Sequence, residues 1–330
     1  MTVHLTATGR ALPQSRQDLD ALAARFPQIG REAFARSGVE TRYFCENEDQ
    51  ISLAVTAARA AMDAAGITPQ DIDVLINASA VPYQTLPSTA PLLMRALGVP
   101  DGKGFGFDVN ATCLGFLAGI DAAARWLEIG EGQTALIVAA ERASRALPWE
   151  TAPDVAALFG DGAGAAVVQR EARRPHLTPV ARHWQSFPAA WEACQIAAGG
   201  TRLSVHDDTA AFLKDAVFQM DGEALFRVTA RAFRGFLETL LTRAGWRLDE
   251  VDLIVPHQAS PHALRHMVRM LEISEDRIVD LAAEVGNQIA ASLPFTLDVA
   301  WREGRIQPGQ KLLMLGTAAG VSFGGMALTS

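Results

Sequence analysis

Along this 330-residue chain, hydrophobic and polar positions change in blocks rather than residue by residue. Short continuous apolar runs at 74–78, 135–140, 165–169, 253–256, 312–315 and 325–329 predict strands buried on both faces. Between them, alanine-rich stretches with apolar residues at helical spacing predict long helices over 53–65, 114–127, 222–244, 261–271 and 290–302. Strands alternating with helices imply a layered α/β architecture. Residues 183–215, with Trp184, Trp191, Gly199-Gly200 and His206-Asp207-Asp208, follow neither period and predict loop or cap material.

The pattern is written twice. Ala65-Gly66-Ile67 through Ile76 has the same order of helix end, polar loop and buried strand as Ala244-Gly245-Trp246 through Val255, an offset of 179 residues (65 to 244). Val109-Asn110 through Gly132-Gln133 matches Gly286-Asn287 through Gly309-Gln310 at an offset of 177 (110 to 287), which sets Asp121 against Asp298 and Arg125 against Arg302. The chain reads as two duplicated α/β halves, 1–175 and 176–330, with the boundary near Glu171-Ala172-Arg173-Arg174-Pro175.

Composition narrows the function classes. With 49% hydrophobic and 20% charged residues, the chain has ample core material and no mark of disorder. No apolar run reaches the roughly 18 residues that span a bilayer, and Met1-Thr2-Val3-His4-Leu5 lacks the basic-then-apolar order of a secretory leader, so a cytoplasmic, membrane-free location is expected. A net charge of -8 disfavours nucleic-acid binding. Cys45, Cys113 and Cys194 are three and far apart, which fits free thiols better than a disulfide framework or a metal site.

Candidate chemistry concentrates in three places. Cys113 follows the strand-like Phe105-Gly106-Phe107 and precedes a long apolar helix, so it falls at a helix start, where unpaired N–H groups and the dipole favour a thiolate. A buried core cysteine is the competing reading, and it is the better one for Cys45 and Cys194. His257 ends the run Leu253-Ile254-Val255-Pro256, at the C-terminal strand end where α/β proteins place site residues. A structural histidine would look the same. Asn287 precedes Ala290-Ala291-Ser292, where an isolated Asn would be a helix cap. The repeat shifts the balance: Asn287 holds the position of Asn110, three residues before the counterpart of Cys113. The two helix starts would then face each other, giving a nucleophile and two hydrogen-bond donors in one site.

Phe159-Gly160-Asp161-Gly162-Ala163-Gly164-Ala165 lacks the Lys-Ser/Thr of a nucleotide loop and leads into a strand. It reads as structural, with glycines for close backbone approach and Asp161 as a turn anchor. Thr317-Ala318-Ala319-Gly320 reads as a tight turn between strands that could lend an N–H to an oxyanion. His262, Arg265, His266 and Arg269 fall on one helix face. That face is either simply solvated or receives an acidic carrier.

Together, Asp108 to Phe116, Val255 to Ala259, Gly286 to Pro294 and Phe159 to Ala165 resemble the signature segments of the β-ketoacyl-acyl carrier protein synthase III group of the thiolase superfamily. Arg36-Ser37-Gly38-Val39, Pro87-Ser88-Thr89, Met220-Asp221-Gly222 and Gly320 to Ala327 extend the match over the whole chain. The resemblance implies a thiolase-like five-layered αβαβα fold, usually homodimeric. It implies an acyltransferase in which Cys113 takes an acyl group from acyl-coenzyme A or acyl carrier protein, in fatty acid or polyketide-like biosynthesis. His257 and Asn287 would then hold a malonyl thioester as it decarboxylates and condenses to a 3-oxoacyl product. It also implies an oxyanion hole from the backbone N–H groups of Cys113 and Ala319. Arg36, Leu86, Phe226, His262, Arg265 and Arg269 would contact substrate or carrier, and no metal or redox cofactor is implied. The chain departs from the family at Glu32, where a tryptophan stacks on adenine, near Pro153, where an arginine closes that clamp, and at Ala318-Ala319, where the family has glycines. A plain acyltransferase or a non-decarboxylating condensing enzyme of the same fold is the alternative. Papain-like proteases share the order Cys, His, Asn but not the sequence context or the duplication.

Overall fold

The computed structural model describes residues 3–130, 132–171 and 175–330. Met1 and Thr2 of the N-terminal motif, and residues 172–174 on which the boundary between halves is centred, lie outside the described residues. From the N-terminus, β1 (His4–Ala11) leads to the hairpin strands β2 (Ser15–Asp18) and β3 (Thr41–Phe44), whose connection carries the short helices α1 (Leu19–Arg25) and α2 (Arg31–Ala35). Next come α3 (Gln50–Ala65), β4 (Val74–Asn77), α4 (Thr89–Leu97), β5 (Phe105–Asp108), α5 (Gly115–Glu128), β6 (Thr134–Glu141), α6 (Pro153–Ala156) and β7 (Gly162–Gln169). Then follow β8 (Thr178–Ser186), β9 (Cys194–Gln195), α7 (Thr209–Asp215), β10 (Gln219–Met220), α8 (Gly222–Ala244), β11 (Leu253–Pro256), α9 (Pro261–Leu271), α10 (Ala282–Val285), α11 (Ser292–Arg302), β12 (Lys311–Ala318) and β13 (Ser322–Thr329).

Among the described residues the long strands form two sheets, ordered β1-β7-β6-β4-β5 and β11-β12-β13-β8. Their pairings correspond. β4 lies parallel to β6, and β6 antiparallel to β7; β11 lies parallel to β12, and β12 antiparallel to β13. The second sheet's counterpart of β5 is a single parallel bridge, Ile254 to Ile278.

Five layers follow from burial on both sheet faces. Leu75, Leu136, Val138 and Val167 point outward from the first sheet against Leu53, Ala57 and Ala61 of α3 and Leu93 of α4. Ile76, Ile137 and Val168 point inward, and Val255, Met314 and Leu328 do so from the second sheet. Between them lie Phe116, Leu117 and Ile120 of α5 and Leu293 and Leu297 of α11. Ile254, Leu313 and Leu315 face Phe236, Leu237 and Leu240 of α8 on the far side.

The matched pairs of the repeat fasten the middle layer. Asp298 of α11, fully buried, accepts from Thr8 Oγ1 (2.8 Å), Arg10 (2.6 Å) and Arg302 (2.9 Å). Asp121 of α5 pairs with Arg182 of β8 at 3.0 Å. Each middle helix is thus bound to an edge strand of the other half's sheet. The expectation of loop from 183 onward is corrected here: 183–186 complete β8, whose pairing with β13 supplies the order that its mixed polar pattern hides. The rest of that stretch forms a cap of short elements, among them α7 and β9, which pairs with β10 beyond it.

Candidate active site

Cys113 sits in a single 3-10 turn, Thr112–Leu114, between β5 and α5. Thr112 is held at φ +48, a conformation disfavoured for a β-branched residue. Asn110 fixes it: its Oδ1 accepts from Thr112 N–H (2.9 Å) and its Nδ2 donates to Ala80 O (2.9 Å). The N–H groups of Cys113 and Ala319 both reach the sulfur. Even so, burial pushes the Cys113 thiol up to about 12, reinforced by Glu141 and Cys194. The expected thiolate is therefore corrected. Two N–H groups at a helix start do not offset desolvation, and the resting group is a thiol. Cys45 is a buried thiol, pushed to about 12 by burial and Asp161. Cys194, read from sequence as a core cysteine, lies near enough for its charge to act on that sulfur.

His257 follows β11, with its N–H bonded to Leu315 O at 2.7 Å. Burial alone lowers the ring to about 4, so it is neutral near pH 7. Nδ1 is buried without a hydrogen-bond partner among the described residues, which leaves Nε2 as the nitrogen for a ligand. Asn287 donates from Nδ2 to Ala259 O (3.3 Å), and its Oδ1 accepts from Ile289 N–H (2.8 Å). It therefore braces the start of the 3-10 turn Ile289–Ala291, one residue before the N-cap Gln288, and does not cap α11. Its backbone is clamped by the glycine segment: Asn287 N–H donates to Leu158 O (2.7 Å) and Gly160 N–H to Asn287 O (3.1 Å). A Cβ on Gly160 would stand 2.3 Å from Val285 O, the close approach expected of these glycines. Asp161 is the turn anchor, accepting from Cys45 N–H, Ser144 N–H and the Ser144 hydroxyl.

The turn bearing Cys113 packs against the turn after Asn287 and against β12. On β12, Gly316 makes room at the junction: a Cβ there would lie 2.8 Å from Leu114 and 3.2 Å from the Cβ of His257. The structure thus gathers Cys113, Ala319, His257 and Asn287 around one strand end. The repeat holds down to single bonds. Asn110, Thr112 and Ala80 correspond to Asn287, Ile289 and Ala259, with the same two side-chain bonds and a second positive φ, +51, at Ile289. What differs is chemistry. Cys113 has Ala290 as its counterpart and His257 has Ala78, so each half carries a candidate group that the other lacks. The sequence offered no direct sign of Gly316, or of Glu141 at the end of an apolar strand. Their roles come from contacts between segments far apart in the chain.

The carrier candidates divide. His262, Arg265 and Arg269 are exposed on α9; His262 bonds Arg36 O (3.2 Å) and Arg265 (2.8 Å). Phe226, 55% exposed, lies over the half-buried His266 with ring centres 5.5 Å apart. Leu86 belongs to a separate loop and is 84% exposed. Glu32 is exposed on α2, which packs against α6 and so lies beside Pro153. The nearby Trp149 has one face stacked on Phe26 at 4.8 Å. No helix among the described residues is long and apolar enough to cross a membrane.

Residues 107–186 match the 3-oxoacyl-[acyl-carrier-protein (ACP)] synthase III family, and residues 241–330 match the C-terminal part of the same family. The chain is 33% identical over 327 residues to a beta-ketoacyl-[acyl-carrier-protein] synthase III of Neisseria meningitidis, with 98% of each chain covered. The crystal structure of 3-oxoacyl-[acyl-carrier-protein] synthase III from Aquifex aeolicus superposes with a TM-score of 0.85 at 28% identity, covering 99% of this chain and all of that one. The corresponding enzyme of Pseudomonas aeruginosa gives 0.86 at 28%, covering 100% and 98%. The five-layered thiolase-like architecture is therefore shared over the full length.

Proposed function

The chain belongs to the 3-oxoacyl-[acyl-carrier-protein] synthase III family, and from that premise we propose how its residues divide the work. It is an acyltransferase of the β-ketoacyl synthase type, a condensing enzyme. In the first half-reaction Cys113 attacks an acyl thioester. The sulfur gives up its proton, the carbonyl oxygen collects negative charge, and the carrier leaves as a thiol. A thiol near 12 cannot supply much free thiolate at neutral pH, so the proton must move as the bond forms, and the neutral His257 is the base we assign. The N–H groups of Cys113 and Ala319 are the donors for the oxyanion.

In the second half-reaction a malonyl thioester releases carbon dioxide, and its carbonyl becomes an enolate held by the second N–H of Asn287 and by His257, whose neutral ring passes to the Nε2–H tautomer between the two half-reactions. The carbanion attacks the acyl-Cys113 carbonyl, forms the new C–C bond and expels the sulfur as a thiolate, which takes a proton from solvent. This sequence calls for no metal or redox cofactor, because every electron pair comes from a breaking bond. We read 1–175 as the half that supplies the cysteine and 176–330 as the half that supplies His and Asn. The partners are an acyl carrier protein, met by the face of His262, Arg265 and Arg269, and a second copy of the chain. The cytoplasm is the setting for both substrates.

The observation that carries this reading is the junction at Gly316, where the Cys113 turn, His257 and the Asn287 turn meet. Peptide mass spectrometry after incubation with acyl thioester should find the adduct on Cys113 and none on Cys45 or Cys194. His257→Ala and Asn287→Ala should still lose about 10²–10³ in carbon dioxide release from malonyl thioester, with Asn287→Ala acylating normally. Wild-type decarboxylation in both variants would defeat the assignment.

A further inference from the structure

Glu141 ends β6 inside the protein, fully buried beside the Cys113 turn, and the reaction above leaves it without a task. Its Oε1 accepts from Ala80 N–H at 2.6 Å and its Oε2 from Val81 N–H at 3.4 Å; Ala290 N–H donates to it as well. The duplication gives these bonds meaning. Ala290 is the counterpart of Cys113, so its N–H is the duplicate of a proposed oxyanion donor. Glu141 is itself the counterpart of Ala318 (141 plus 177), next to the other donor. At Ala290, in the half that lacks the nucleophile, a carboxyl group from the other half takes the hydrogen bond that a substrate oxygen would take at Cys113.

From there two short bonded paths run to the reacting groups. One goes from Ala80, whose carbonyl holds Asn110, to Thr112 and Cys113. The other goes from Ala290 to its neighbour Ile289, whose N–H orients Asn287. We propose that Glu141 is a positioning residue for the condensation, its carboxyl group filling the unused duplicate of the oxyanion hole and so fixing the Cys113 and Asn287 turns against each other. The titratable groups that face Glu141 are Cys113 and, from the turn before β7, Asp161. Burial raises Glu141 itself to about 8 against the pull of its three N–H donors. Its charge, once present, opposes the Cys113 thiolate.

The inference rests on the condensing reading, and its test separates the two. Glu141→Gln keeps the shape but turns an amide NH2 toward N–H donors and removes the charge. Malonyl thioester decarboxylation should fall at least about tenfold, the scale of a sub-ångström misplacement. Alkylation of Cys113 by iodoacetamide at pH 8.5 should rise several-fold, because the opposing charge is gone. Against pH, the wild-type alkylation rate should flatten near pH 8 as Glu141 ionises, and the Gln variant should climb without that break. Glu141→Asp keeps the charge and shortens the reach, so it should alkylate as wild type and decarboxylate slowly. Wild-type decarboxylation in the Gln or the Asp variant, or a Gln variant in which alkylation and decarboxylation fall together, overturns the proposal. A wild-type protein that acylates Cys113 but releases no carbon dioxide defeats the condensing reading instead, while the alkylation arm still decides whether Glu141 acts on Cys113.

Discussion

A histidine that serves as a hydrogen-bond donor to an enolate and as a base for a thiol has to be uncharged, and burial supplies that state for His257. Lowered from 6.5 to about 4 in the folded protein, the ring resists a proton that the unfolded chain accepts readily. The stability contributed by this neutral ring is complete above pH 6.5. It is lost as pH falls from there toward 4, on the order of 3 kcal/mol in all. Urea unfolding of wild type and His257→Gln at pH 7 and pH 4.5 isolates the effect, since all other groups are common to both. The wild type should lose more stability than the variant on acidification, and equal losses would show that the ring is not lowered in the folded protein. Cys, His and Asn were readable as residue types with a place in the chain. Their ionisation was not: the Cys113 thiol was expected low and lies near 12, first through burial and then through the charges of Glu141 and Cys194, and no local spacing announces either.

At the scale of elements, the turns Thr112–Leu114 and Ile289–Ala291 carry the site, and each is built by an Asn two residues ahead of a positive φ. The offset of 177 made their correspondence visible in the sequence, while the 3-10 geometry was not, since a single turn has no period. Another element pair, α2 against α6, bears on the carrier. Base stacking on an aromatic plane is worth roughly 1–3 kcal/mol, and Glu32 offers no such plane. Trp149, the aromatic nearby, already has a face against Phe26. Acyl groups should therefore reach Cys113 faster from acyl carrier protein than from coenzyme A when the same acyl chain is compared. Glu32→Trp should raise the coenzyme A rate and leave the carrier-protein rate alone. A tenfold wild-type preference for acyl-coenzyme A, about 1.4 kcal/mol the other way, would show that the missing stack is immaterial.

At the scale of the whole molecule, β5 is an edge strand with a partner on one side only among the described residues, and an open edge invites pairing with another chain. It presents Phe105, 53% exposed and stacked on Trp126 at 5.5 Å, and the neighbouring loop presents Leu86. Sedimentation should show a dimer that Phe105→Glu shifts toward monomer. A wild-type monomer with full condensing activity would exclude a required second copy. The sequence by itself determined the layered α/β class and the repeated pattern and singled out the candidate groups, because continuous apolar runs, repeat offsets and residue chemistry are local properties of a string. Only the tertiary structure decided that β8 claims residues 183–186, that Arg10 and Arg182 cross between halves to Asp298 and Asp121, and that Gly316 and Glu141 bring the turns together. Those outcomes depend on burial and hydrogen bonds between segments that are separate in the chain, and a close approach of that kind leaves no pattern in either segment alone.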